Sequence, residues 1–147
     1  MWIKQKIHNK FIFYKTELVL IRQYIIKWEY IMASMIQVFG TKKCSDTNKA
    51  LRFFKERGVK FQFIDLSEKA ISKGELQSIA RNNPIESLID TEGKQFKLRN
   101  LKFMTYDLEN ELLTDPLLFR TPITRLAQES SVGVTPEIWK KWIEKVK

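Results

Sequence analysis

The feature that most constrains this 147-residue chain is a strand-helix-strand pattern between Met35 and Asp65. The apolar run Met35-Ile36-Gln37-Val38-Phe39-Gly40 predicts a strand at 36–39. Asn48-Lys49-Ala50-Leu51-Arg52-Phe53-Phe54-Lys55 has helical spacing and predicts a helix at about 46–57, which Gly58 ends in a left-handed conformation. Val59 to Asp65 alternates polar and apolar residues and predicts a second strand. Strands joined by a helix run parallel, because only a crossover gives the chain room to return, and the crossover is right-handed.

The rest of the chain builds on that unit. Ser72 with Glu75 three residues later forms a capping box for a helix from Lys73 to Arg81, and Asn82-Asn83-Pro84 stops it. Pro84 to Ile89 predicts a short helical turn, Thr91-Glu92-Gly93-Lys94 a loop, and Thr105 to Leu113 a helix ended by Asp115-Pro116. Leu117–Arg125 and Ser131–Val134 read as two strands of a hairpin around Ala127-Gln128-Glu129-Ser130. Thr135 and Pro136 open a last helix with Ile138, Trp139, Trp142, Ile143 and Val146 on its apolar face. The order β-α-β, helices, β-β-α predicts an α/β domain with a mixed four-stranded, thioredoxin-like sheet and a helical insertion between its halves.

One cysteine, Cys44, stands where the first strand turns into the first helix. A helix N-terminus offers free backbone N–H groups and partial positive charge, both of which favour a thiolate. Lys42 and Lys43 add cations beside it. A free cysteine is often simply a small buried hydrophobe. The polar neighbours Lys43, Ser45 and Asp46 favour a reactive, accessible thiol instead. A single cysteine forms no intramolecular disulfide and no multi-cysteine metal site, and it suits a reducing cytoplasm. No metal site is expected, because His8, the one histidine, falls far from these elements.

Residues 1–34 differ in character from the rest of the chain. They hold six Lys and Arg against two Glu, with two Trp, three Tyr and no Gly or Pro. This segment is expected to be a basic, apolar extension outside the fold of residues 35–147, with Met32 or Met35 as an alternative first residue. Its apolar runs are too short for a membrane span, and it lacks the small-residue cleavage site of a signal peptide. A basic amphipathic helix lying on a membrane surface is the other reading. Of the net charge of +9 the extension carries +4, so the main body is only modestly basic and direct nucleic-acid binding is not expected.

Three landmarks in order carry a family resemblance. Val38-Phe39-Gly40-Thr41-Lys42-Lys43-Cys44-Ser45-Asp46-Thr47-Asn48-Lys49-Ala50 resembles the active-site segment of the arsenate reductase/Spx-like family. Asp115-Pro116-Leu117-Leu118-Phe119-Arg120-Thr121-Pro122-Ile123 is similar to its Arg-Pro element, and Val132-Gly133-Val134 with Trp139-Lys140-Lys141-Trp142 to its C-terminal segment. The resemblance covers roughly Met35 to Lys147. It implies that Cys44 is the nucleophile and Arg120 an oxyanion-binding arginine. It implies further that Thr121 and a cis Pro122 leave a backbone edge free for a thiol substrate such as glutathione. Thr47 stands where Spx regulators carry the second cysteine of a C-x-x-C, so their intramolecular switch is absent.

Lys43, Arg120 and Arg125 are the cations expected to face an anion, with Thr47, Thr121 and Pro122 expected to contact the thiol substrate. Asp90 stands where the family's mid-chain arginine would help, with Arg99 nearby, and this weighs against arsenate reduction. The expectation is therefore an oxidoreductase using one cysteine. No cofactor is bound, glutathione serves as co-substrate, and glutathione or a glutaredoxin resolves the mixed disulfide. The alternative is an Spx-like regulator that docks on RNA polymerase without catalysis.

Overall fold

The computed structural model describes residues 18–28 and 35–147. The chain separates into two compact units, Met1–Ser34 and Met35–Lys147. In the first, residues 18–28 are helical, and Leu18, Ile21, Tyr24, Ile25 and Trp28 are more than half exposed. Among the described residues no helix is long and apolar enough to cross a membrane.

The second unit is built on β1 (Ile36–Gly40), α1 (Ser45–Glu56), β2 (Phe61–Asp65), α2 (Lys73–Ala80), α3 (Lys94–Leu98), α4 (Leu108–Thr114), β3 (Ile123–Leu126), β4 (Glu129–Val132) and α5 (Pro136–Val146). Its four-stranded sheet has the order β2-β1-β3-β4. Strand β1 pairs in parallel with β2, Val38 opposite Phe63, and antiparallel with β3, Val38 opposite Thr124. The mixed sheet expected from the element order is therefore observed.

Strand β1 is central and buries both faces, so Ile36, Val38 and Phe39 are all fully covered. Ile36 and Val38 meet Ala50 and Phe54 of α1 and Trp139 and Trp142 of α5. Phe39 and Ile123 point the other way, into a core with Leu76 and Ile79 of α2, Leu88, Leu112 and Leu118. Each large side chain buried here contributes about 1.5–3 kcal/mol against leaving it in water. Thr124 is a buried polar residue of the sheet, and its hydroxyl accepts from Trp139 Nε1 at 2.8 Å and shares a 2.7 Å bond with Ser131 Oγ.

Several boundaries differ from the sequence reading. The Ser72–Glu75 capping box is formed. The expected strand from Leu117 exists only from Ile123, because Asp115 caps a 3₁₀ turn, Pro116–Leu118, and Phe119 makes a single bridge to Ile89. The hairpin loop is two residues, Ala127-Gln128, with Ala127 at φ +51°, so Glu129 and Ser130 already belong to β4. Helix α4 starts at Leu108, where the Asp107 side chain accepts from the Asn110 N–H at 3.1 Å. Thr135 does not cap α5 with its hydroxyl, which bonds Ser131 Oγ at 2.8 Å instead. Ile138 sits at the edge of the apolar face, 37% exposed. Helix α3 begins at the end of the expected Thr91–Lys94 loop, and its five residues are too few to show a helical period in the sequence.

Candidate functional site

The turn Thr41–Cys44 links β1 to α1 and is closed by the Cys44 N–H to the Thr41 carbonyl at 3.1 Å. Cys44 is the N-cap residue of α1, in extended conformation, and its carbonyl accepts the first helical bond from Asn48. The usual capping oxygen is thus replaced by sulfur at the N-terminus of a twelve-residue helix, where the first N–H groups have no capping side-chain acceptor. Thr121, 77 residues away, donates its hydroxyl to Sγ at 3.3 Å. Burial pushes the half-buried thiol up, but the Thr121 hydroxyl, the Thr47 hydroxyl and N–H, and the Asp46 N–H outweigh it and hold the thiol below its ordinary range.

Thr47 is completely buried, and its Oγ1 has no acceptor of its own. It is free to donate to a thiolate and cannot reach a substrate. The expected substrate contact at Thr47 is corrected accordingly: this side chain lies beneath the sulfur, one helical turn along. Gly40 makes the room, since a Cβ there would fall 2.3 Å from Thr47 Oγ1.

Cys44 opens onto a cavity of about 610 Å³. Of the residues singled out from sequence, Lys43, Asp90 and Thr121 line it. The remaining wall comes from Lys94, Gln95 and Leu98 of α3 and from Pro116, Leu117 and Phe119. Asp90 is held by its own turn: its carboxylate accepts from the Glu92 N–H at 3.2 Å and its N–H bonds the Leu118 carbonyl at 2.8 Å. A Cβ at Gly93 would stand 2.8 Å from Asp90 Oδ2, so a side chain there would push the carboxylate out of its present position. Gln95 is fixed by donating to Asp115 Oδ2 at 2.6 Å.

The other expected cations are elsewhere. Arg120 is exposed and does not line the cavity. Arg125 is turned along the sheet, where its guanidinium donates to Gln37 Oε1 at 2.9 and 2.5 Å, its partner in the β1–β3 register. Arg99 pairs with Glu111 at 2.5 Å and Asp115 at 3.5 Å, which ties α3 to α4. Lys42 is latched to Glu68 at 3.2 Å and Asp65 at 3.4 Å, and those bonds raise its pKa. Sequence reasoning therefore placed the thiolate's stabilisation partly in lysine charge, whereas hydroxyls and backbone N–H groups supply it. The Thr121–Pro122 bond is cis, as expected, but Pro122 is buried and outside the cavity, with its carbonyl bonded to the Gly133 N–H at 2.8 Å. Lys94 is the cation that spacing missed, and only its position next to Gly93 at the start of α3 brings it to the cavity.

Among the described residues no three His, Cys, Asp or Glu side chains converge to hold a metal ion. His8 lies outside the described residues. The arrangement provides one activated sulfur in a cavity with two exposed lysines and one carboxylate, suited to exchange with another sulfur.

Comparison with known proteins gives three findings. The glutaredoxin family model matches residues 36–85, which span β1, α1, β2 and α2. The global transcriptional regulator Spx 2 of Oceanobacillus iheyensis is 29% identical over 103 residues, covering 67% of this chain and 76% of the relative. Two solved structures share the fold, which is thioredoxin-like. An ArsC family related protein from Bacteroides fragilis has 22% identity and a TM-score of 0.65 over 73% of this chain and 96% of its own. An arsenate reductase from Vibrio cholerae has 20% identity and a TM-score of 0.62 over 73% and 96%.

Proposed function

We propose that the chain is a member of the arsenate reductase/Spx-like family and a thiol oxidoreductase that works through Cys44 and an external thiol. The observation that carries this reading is one sulfur at the N-terminus of α1 that accepts from the Thr121 hydroxyl at 3.3 Å and opens to a cavity. The thiolate attacks one sulfur of a substrate disulfide, the Cys44–S bond forms, and the other half leaves as a thiolate that takes a proton from water. A second external thiolate then attacks the mixed disulfide and returns Cys44 as thiolate. The chain has no second cysteine to do this itself. Glutathione, or a glutaredoxin, in a reducing cytoplasm is the resolving partner in this scheme.

Arsenate is a poor fit. An oxyanion needs several fixed N–H donors or cations. Here Asp90 places a carboxylate in the cavity, Arg120 and Arg125 stand outside it, and Lys43 and Lys94 are exposed. The test is incubation with oxidised glutathione, read as the mass of the glutathione adduct on Cys44 and its loss in Cys44→Ser. Rapid glutathione-dependent arsenate turnover would refute the oxyanion argument, and an inert native thiol would refute the whole reading. The similarity to Spx 2 supports a second reading, a regulator that docks on RNA polymerase without catalysis. Polymerase binding that persists in Cys44→Ser, with no adduct in the native chain, would favour it.

A further inference from the structure

Six large apolar side chains are exposed among the residues of the second unit, and they are unevenly placed. Four of them ring two cavities that share α3 as a wall. Leu98 (69% exposed) and Leu117 (45%) border the Cys44 cavity. Phe103 (77%) and Met104 (57%) border a second cavity of about 560 Å³. Lys94, Gln95 and Leu98 face the first cavity, and Phe96 and Lys97 face the second. At about 100° per residue these two sets point to opposite sides of the helix.

The charges beside these apolar residues are mainly positive. Lys43 and Lys94 border the thiol cavity opposite Asp90, and Lys97 and Lys102 border the second opposite Glu92. Lys97 pairs with Glu92 at 3.4 Å, and Lys102 lies 5.9 Å from the centre of the Phe103 ring. An exposed aromatic and Met pair across one short helix from a half-buried thiol, with exposed Leu98 and Leu117 beside that thiol, marks a protein-binding surface more than a site for a small polar molecule.

We propose that the surface running from Cys44 across α3 to the Phe103–Met104 cavity docks a protein partner that carries its reactive sulfur beside an acidic segment with an aromatic anchor. This rests on the thiol-exchange reading and specifies its partner. The partner's carboxylates meet Lys94 and Lys102, and its aromatic side chain enters the second cavity. Crossing the thiol cavity, roughly 10 Å across for its volume, and then a helix about 10 Å wide takes about six extended residues, which sets the spacing between the sulfur and the anchor. The chemistry is the exchange already described: Cys44 bonds to the partner's sulfur and the partner's other sulfur leaves as a thiolate.

The full chain can be tested with peptides Cys-Gly-Gly-Gly-Glu-Glu-Phe, Cys-Gly-Gly-Gly-Lys-Lys-Phe and Cys-Gly-Gly-Gly-Glu-Glu-Ser, each as a mixed disulfide with thionitrobenzoate. Release of the coloured thiolate is followed, and each rate is divided by that of the same peptide with 2-mercaptoethanol. The Glu-Glu-Phe peptide should react at least tenfold faster than either control. The double variant Phe103→Ser/Met104→Ser, which changes only exposed side chains, should remove that preference and leave adduct formation with oxidised glutathione unchanged. Equal rates for the three peptides in the native chain overturn the proposal, as does a self-association of the chain that the double variant abolishes, which would give this surface to a second copy. No adduct with oxidised glutathione at all would instead sink the thiol-exchange reading, and this proposal with it.

Discussion

Thr47→Val is the most direct probe of how this fold activates its sulfur. Valine has nearly the shape of threonine and carries a methyl group in place of the hydroxyl. Thr47 is completely buried, so no water takes the place of the lost donor. A hydrogen bond to a charged group contributes about 1.5–3 kcal/mol. Its loss should raise the Cys44 pKa. The Thr121 hydroxyl and the Asp46 and Thr47 N–H groups remain, so the thiol is weakened as an acid without reverting to an isolated buried one.

The assay is thiolate absorbance against pH, with alkylation rate as a second measure. At a pH below both pKa values the rate falls by only about 3- to 4-fold per unit, because a more basic thiolate is also a better nucleophile. Linkage sets the sign of the effect on stability. A lowered folded pKa adds stability that is fully present above the ordinary thiol range and is lost as pH falls through the folded value. Thr47→Val should shrink that contribution, and Thr47→Ser, which keeps the hydroxyl, should keep both the pKa and the stability profile near the native ones. An unchanged titration in Thr47→Val would show that the buried hydroxyl does not serve the sulfur.

Gly40→Ala should destabilise the domain by about 1–3 kcal/mol in chemical denaturation and raise the Cys44 pKa, because its Cβ would displace the Thr47 side chain. Trp139→Phe should cost about 2–4 kcal/mol in the same measurement, from one hydrogen bond to Thr124 and the space left by the missing ring atoms. A chain starting at Met35 should melt in one cooperative transition and keep the reactivity of Cys44, since the second unit holds a four-stranded sheet and two core clusters among the described residues. Non-cooperative melting would make the first unit part of the folding unit.

What could be read from the sequence is what neighbouring residues dictate. The run into Cys44, the Ser72–Glu75 box and Gly58 are short-range signals whose hydrogen bonds close within four residues, so the strand-turn-cysteine-helix unit was visible from the chain alone. The hairpin was visible too, although its exact register depended on Ala127 adopting a positive φ. Side-chain direction was not visible. Arg120 and Arg125 lie within a few residues of Thr121 in the chain, yet one faces water and the other is taken by Gln37 across the sheet, a choice made by strand register. The donor from Thr121 and the wall from Lys94 reach Cys44 only because the insertion and β3 fold back over the start of α1. The sequence determined that Cys44 would stand at the N-cap of the first helix, since capping is local. The tertiary structure decided which side chains surround it, since that depends on contacts between residues as many as 77 positions apart.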